Sequence, residues 1–108
     1  TALTAHKVMK KVVKSKISFD GIFAANDLSA AAAIEELQFV GIKIPQNVKV
    51  IGYDGSTIAE SHRPSISTIA QLPQLLGQKV AEKLMKTLHG EVVQNEEIEV
   101  KLIPRDSS

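Results

Sequence analysis

Three short stretches carry side chains suited to holding a small polar molecule: Asn26-Asp27, Asp54-Gly55-Ser56 and Gln71. Asp54 is an acceptor-only carboxylate that can take two adjacent hydroxyls at once, whereas Asn26 and Gln71 each offer a donor and an acceptor. That mixture suits a polyol, whose hydroxyls both donate and accept. None of these groups is a good nucleophile. The chain has no cysteine, which removes thiolate metal sites, disulfides and a Cys nucleophile. His6, His62 and His89 lie far apart, and none sits in an H-E-x-x-H arrangement. Gly52-Tyr53-Asp54-Gly55-Ser56 is neither G-x-S-x-G nor a dinucleotide or P-loop fingerprint. No catalytic residue, metal site or cofactor is therefore assigned. Simpler duties exist for the same residues. Asn26 or Asp27 can cap a helix, and Asp54 before Gly55 can make a turn. The case for a ligand rests on the three stretches converging.

Their convergence depends on the elements that carry them. Residues 2–14 read as a helix, with Leu3, Val8, Met9, Val12 and Val13 on one side and Lys7, Lys10, Lys11 and Lys14 mostly on the other, a solvated basic face. Phe19 to Ala25 is a short apolar run, a strand buried on both faces. Helix signals return from Asp27 to Val40, with Gly41 placed to end the helix in a left-handed conformation. Pro45-Gln46-Asn47 is a turn, and residues 48–53 form a second strand. A loop runs to about Pro64, and Ile66 to Ala70 is a third strand. Pro73 can sit in the first turn of the next helix, which bears Leu75, Leu76, Val80, Leu84, Met85 and Leu88 at helical spacing and ends at Gly90. Residues 98–103 alternate as a last strand at an edge. Strands alternating with amphipathic helices give an α/β fold, a mainly parallel sheet with helices on both faces. In such a sheet ligands bind beyond the carboxyl ends of the strands, which is where Asn26, Asp54 and Gln71 fall. The first helix lacks the strand that would precede it in a crossover, so the chain is expected to be a fragment.

Composition narrows the function classes. The 108 residues carry a formal net charge of +1, from 13 basic and 12 acidic side chains. A nucleic-acid-binding domain usually carries a clustered basic excess. Aromatic residues are few, at 4%, and do not suggest a base-stacking surface. No apolar run approaches the roughly 20 residues of a membrane span.

Four motifs in order add a resemblance to a known family. They are Phe19 to Leu28, Val50-Ile51-Gly52-Tyr53-Asp54-Gly55, Thr68-Ile69-Ala70-Gln71 leading to Leu76-Gly77, and Leu102 to Ser107. Together they resemble the C-terminal part of bacterial transcription repressors of the lactose- and galactose-repressor family, over nearly the whole chain. The resemblance implies a periplasmic-binding-protein-like lobe, with residues 1–108 as the C-terminal part of the effector-binding and dimerisation domain. It implies a cytoplasmic homodimer that senses a sugar or sugar phosphate. Operator DNA would be bound only through an N-terminal helix-turn-helix head that this chain lacks, along with the hinge and the N-terminal lobe. By position, Asn26, Asp54 and Gln71 correspond to effector-binding residues, and Ala30, Ala31, Ile34 and the loop near His62 to the dimer interface. Where many members carry a second acid, this chain has Gly55, which makes the effector's identity harder to infer.

Two alternatives share parts of this pattern. A periplasmic sugar-binding protein has the same fold and the same strand-end chemistry. A phosphoacceptor receiver domain would use Asp54 as acceptor with Asp27 near magnesium. It wants an acid pair after the first strand and a Lys after a late one, whereas Asn26-Asp27 gives half the pair and Lys101 lies inside a strand.

Overall fold

The computed structural model describes residues 1–108 and contains four helices and four strands. In chain order these are α1 (Ala2–Lys14), β1 (Gly21–Phe23), α2 (Asp27–Phe39), β2 (Lys49–Asp54), α3 (Thr57–Ser61), β3 (Ser67–Ala70), α4 (Pro73–Leu88) and β4 (Lys101–Ile103). The strands form one sheet in the order β1-β2-β3-β4. β1 and β2 pair in parallel, as do β2 and β3, and β4 pairs antiparallel with β3 at the edge. The expected mixed α/β fold with a mostly parallel sheet is therefore present.

The chain divides into two compact units. One comprises residues 1–70 and 101–108, and the other residues 71–100. In the first unit the core is aliphatic: Ala30, Ala33, Ile34 and Leu37 of α2 meet Val50 of β2, Ile66, Ala59 and Met9. α2 packs on β2, α1 packs on α2, and α3 also touches α2. A helix covered on several sides needs small or aliphatic residues around its circumference, which explains the run Ala30 to Ala33. Asn26 caps α2, its Oδ1 accepting from Ser29 N at 2.8 Å. Gly41 follows the C-terminal turn with φ +83°, in the left-handed region expected of it.

Several local expectations change. The residues 57–61, read as loop, form α3, and its Ala59 is fully buried and accepts from Ile66 N at 2.7 Å. β1 is not buried on both faces: it is an edge strand, and Phe23 is largely exposed. Within the α1 stripe only Met9 is buried, with Val12 and Val13 packed partly against the core, whereas Leu3 and Val8 remain exposed.

The second unit is α4 with the extended segment after Gly90. Lys79 and Lys83 reach Glu96 at 3.1 and 3.4 Å, and Lys83 Nζ also donates to Gln94 O at 2.6 Å. A groove of about 330 Å³ lies within this unit, and none of Asn26, Asp54 and Gln71 lines it. The apolar stripe of α4 stays accessible, because no residue of this helix is buried. The hydrogen bond from Lys79, followed by that from Lys83, holds the Glu96 carboxyl below its ordinary range. A depressed carboxyl pKa stabilises the fold above its unfolded value, and that contribution disappears as pH falls through the folded value. Acidification into and below the carboxylate range is therefore expected to loosen residues 93–98 from α4. NMR shifts of Val93 and Ile98 should move with the Glu96 titration while those of Ile34 and Val50 stay fixed.

Candidate functional site

β1 and β2 run side by side, and β2 continues three residues past the end of β1. Their register pairs Phe23 with Ile51, and Ala24 N donates to Ile51 O at 2.8 Å. Asn26 lies three residues beyond Phe23, the last residue of β1, and Asp54 is the last residue of β2, so both belong to the carboxyl ends of adjacent parallel strands. Asp54 itself pairs with Ala70, the last residue of β3. Gln71 follows directly and opens the second unit. The first unit thus carries Asn26 and Asp54, and Gln71 follows Ala70 in the chain.

The cap divides the duties of Asn26. Its carbonyl oxygen is engaged by Ser29 N, so the side-chain NH2 is what it can present to a ligand. Asp54 can only accept. The pair therefore offers donors from one strand end and acceptors from the next, complementary to a hydroxyl-bearing ligand. Asp54 is exposed and has φ +107°, an unusual conformation for a residue with a side chain, and Gly55 after it has φ +72°. Gly55 cannot be replaced freely even apart from its φ, because a Cβ there would lie 2.8 Å from Ala70 Cβ.

Beneath this turn lies a network that the motifs contain but periodicity does not disclose. Asp27, the first residue of α2, is 1% exposed. Its Oδ2 accepts from Ser56 N at 2.7 Å and from Ser56 Oγ at 2.8 Å. Its Oδ1 accepts from Thr68 Oγ1 at 2.5 Å, and that hydroxyl in turn accepts from Gly55 N at 3.2 Å. One buried carboxylate at the start of α2 therefore joins the turn after β2 to the interior of β3. The signals that point to it are a glycine inside β2 and a threonine hydroxyl inside β3. A Cβ on Gly52 would overlap Asp27 Oδ1 and come within 3.1 Å of Asp27 Cα, so the glycine marks a close approach.

The residues expected at a dimer interface are placed differently. Ala30, Ala31 and Ile34 are 0%, 3% and 0% exposed within the single chain, packed among β2, α1 and α3. Within the single chain these three side chains are covered by the chain's own elements. His62 keeps some surface, with 11% of its side chain accessible. Its Nδ1 lies 3.0 Å from Pro64 O and its Nε2 3.8 Å from Glu35.

Comparison with known proteins places this geometry. The model of the periplasmic binding protein-like domain matches residues 2–108. The HTH-type transcriptional regulator CelR of Thermobifida fusca is 34% identical over 86 residues, covering 80% of this chain and 25% of that protein. A transcriptional regulator CelR–cellobiose complex superposes with a TM-score of 0.90 at 31% identity, covering 100% of this chain and 34% of the other. The lac repressor dimer bound to operator and the anti-inducer ONPF superposes with a TM-score of 0.95 at 25% identity, covering 100% and 38%. The chain thus spans about a quarter to two fifths of the proteins it matches.

Two substitutions test the local geometry by urea unfolding. Gly52→Ala forces its methyl group into the Asp27 carboxylate and should cost about 2–3 kcal/mol. Asn26→Ala removes the cap and should cost about 1 kcal/mol, whereas Asn26→Ser keeps a capping oxygen and should stay within a few tenths of the parent.

Proposed function

Because the chain belongs to the periplasmic binding protein-like domain family, in the form carried by lactose-repressor-type regulators, we propose that it is the effector-sensing part of a bacterial transcriptional repressor. The effector is a small carbohydrate, a sugar or sugar phosphate. The observation that carries this reading is the placement of the Asn26 amide and the Asp54 carboxylate at the carboxyl ends of adjacent parallel strands. Gln71, one residue after β3, is the third effector-binding residue in this reading. Cellobiose in the complex of the structurally similar CelR is a ligand of the hydroxyl-rich kind that this pair suits.

In this reading the protein binds and does not catalyse. It works in the cytoplasm as a homodimer, and operator DNA is contacted by an N-terminal head outside these residues. Of the four residues assigned to a dimer interface, His62 is the one that still reaches the surface. The sensor is two-state. A ligand held between this lobe and a second one shifts the equilibrium only by its difference in affinity for the open and closed forms. Asn26 and Asp54 form one wall of such a cleft, so the 108-residue chain alone is expected to bind sugar weakly.

A hydrogen bond to a charged acceptor contributes roughly 1.5–3 kcal/mol, so losing Asp54 should weaken effector binding about ten- to a hundredfold. The test is Asp54→Ala in the regulator that carries this chain, with operator release followed by fluorescence anisotropy during titration with cellobiose and a panel of mono- and disaccharides. The expected result is a rightward shift of that size for the sugar to which the parent responds. An unchanged titration would exclude Asp54 as an effector ligand.

A further inference from the structure

We propose that Asp27 is the positioning residue of this site: it makes no contact with the effector but fixes the Asp54-Gly55 turn from below. The inference deepens the sugar-binding reading and rests on it for the importance of Asp54.

The argument starts from burial. A carboxylate that is 1% exposed must be satisfied by donors, and Asp27 has them in Ser56 N, Ser56 Oγ and Thr68 Oγ1. The donors come from the turn after β2 and from within β3, although the carboxylate belongs to the first turn of α2. Thr68 extends the chain of bonds by accepting from Gly55 N. Residues 55 and 56 are therefore held through both of their backbone N–H groups, one directly by Asp27 and one through Thr68. They follow Asp54, which sits at φ +107°, a conformation that a residue with a Cβ holds only when its surroundings impose it.

The hydroxyl of Ser56 gives a second indication. Ser56 is the N-cap of α3, yet its side chain makes no capping bond there; it donates instead to Asp27. A residue type favoured at helix starts for its local bond is committed here to the inter-strand carboxylate. Gly52 gives a third. It leaves the space into which the Asp27 carboxylate fits, because a Cβ there would overlap Oδ1. Carboxylate, missing side chain and donors converge on a single position, directly under the turn that carries the proposed ligand residue.

The test is NMR of the 108-residue chain with no sugar present. Thr68→Val removes the hydroxyl that bridges Asp27 and Gly55 at nearly constant volume, and Thr68→Ser restores it. In Thr68→Val the three-bond HN–Hα coupling of Asp54 should move from a value typical of positive φ to that of an extended strand. Amide exchange at Gly55 and Ser56 should accelerate about tenfold or more beyond any change at Ile34 or Leu37, because local opening is then uncoupled from global unfolding. Thr68→Ser should return both to the parent values. Asp27→Asn should reproduce the Thr68→Val pattern and extend it to α3; where that variant does not fold, the valine and serine pair decides alone. An unchanged Asp54 coupling with Gly55 and Ser56 exchange rising only in step with the core would overturn the proposal and leave Asp27 a general stabiliser. Because no sugar enters the measurement, failure of the effector reading at Asp54→Ala would not be confused with failure here.

Discussion

A buried carboxylate that cannot leave its donors is the constraint around which this structure is arranged. Asp27 lies at the junction of α2 with three strand ends and is sealed from water. Each polar group left unpaired in such a place costs about 1–3 kcal/mol, and more when it is charged. The bonds to Ser56 and Thr68 are therefore expensive to break singly, and they hold the first turn of α2 against the turn after β2 and against β3. Gly52 is the steric counterpart of this arrangement. The sheet surrenders a side chain in the middle of β2 so that the first turn of α2 can approach closely enough for its acid to reach across.

The opposite end of the sheet is closed by the same kind of device, with a neutral group. Ser107 is fully buried, and its Oγ donates to Val50 O at 2.6 Å while accepting from Ser67 N at 2.8 Å. Its own carbonyl accepts from Val50 N at 2.8 Å. The register of β2 and β3 begins at Ile51 and Ser67, so Ser107 occupies the place where the two strands have not yet met. Arg105 adds a donor from Nη1 to Ile66 O at 3.0 Å, and its backbone N donates to Ser67 Oγ at 2.7 Å. β2 and β3 are thus tied by a carboxylate, through the turn after β2 and Thr68 of β3, and by Ser107 where they begin. Between them lies a purely aliphatic layer of Val50, Ile34 and Leu37. Polar groups set where the strands start and stop; apolar groups supply the packing.

These two classes of interaction also explain how much the sequence disclosed. The fold was legible because each helix and strand announces itself locally: the alanine run of α2, the glycine at position 41, the apolar runs of β1 and β2, Pro73 at the start of α4. Asn26 and Asp54 were legible because strand ends in a parallel sheet follow from element order alone. α3 was not, since a helix of 5 residues has no period to detect and is specified by a single buried Ala59. The packing of α2 was not legible for a related reason. A stretch of alanines says that something approaches closely without saying what, and here the neighbours are this chain's own α1, α3 and β2, so Ala30, Ala31 and Ile34 face inward. The role of Asp27 was hidden because its partners lie 29 and 41 residues away. Its local duty, capping, is performed by Asn26 next to it.

The two neighbours Asn26 and Asp27 show how a binding surface is prepared from a helix terminus without being consumed by it. A helix start leaves backbone N–H groups that need acceptors. Asn26 supplies one with its oxygen and so keeps its amide donors aimed elsewhere. Asp27 turns inward, bringing its charge to the inter-strand donors, so that the open end of the sheet is left with a single carboxylate of this network's making, that of Asp54. Had the two residues exchanged roles, the donors Ser56 and Thr68 would face a neutral amide, which brings an N–H group to them where the carboxylate brings only acceptors. The order Asn-Asp therefore separates the side chain that caps α2 from the carboxylate that anchors the turn after Asp54.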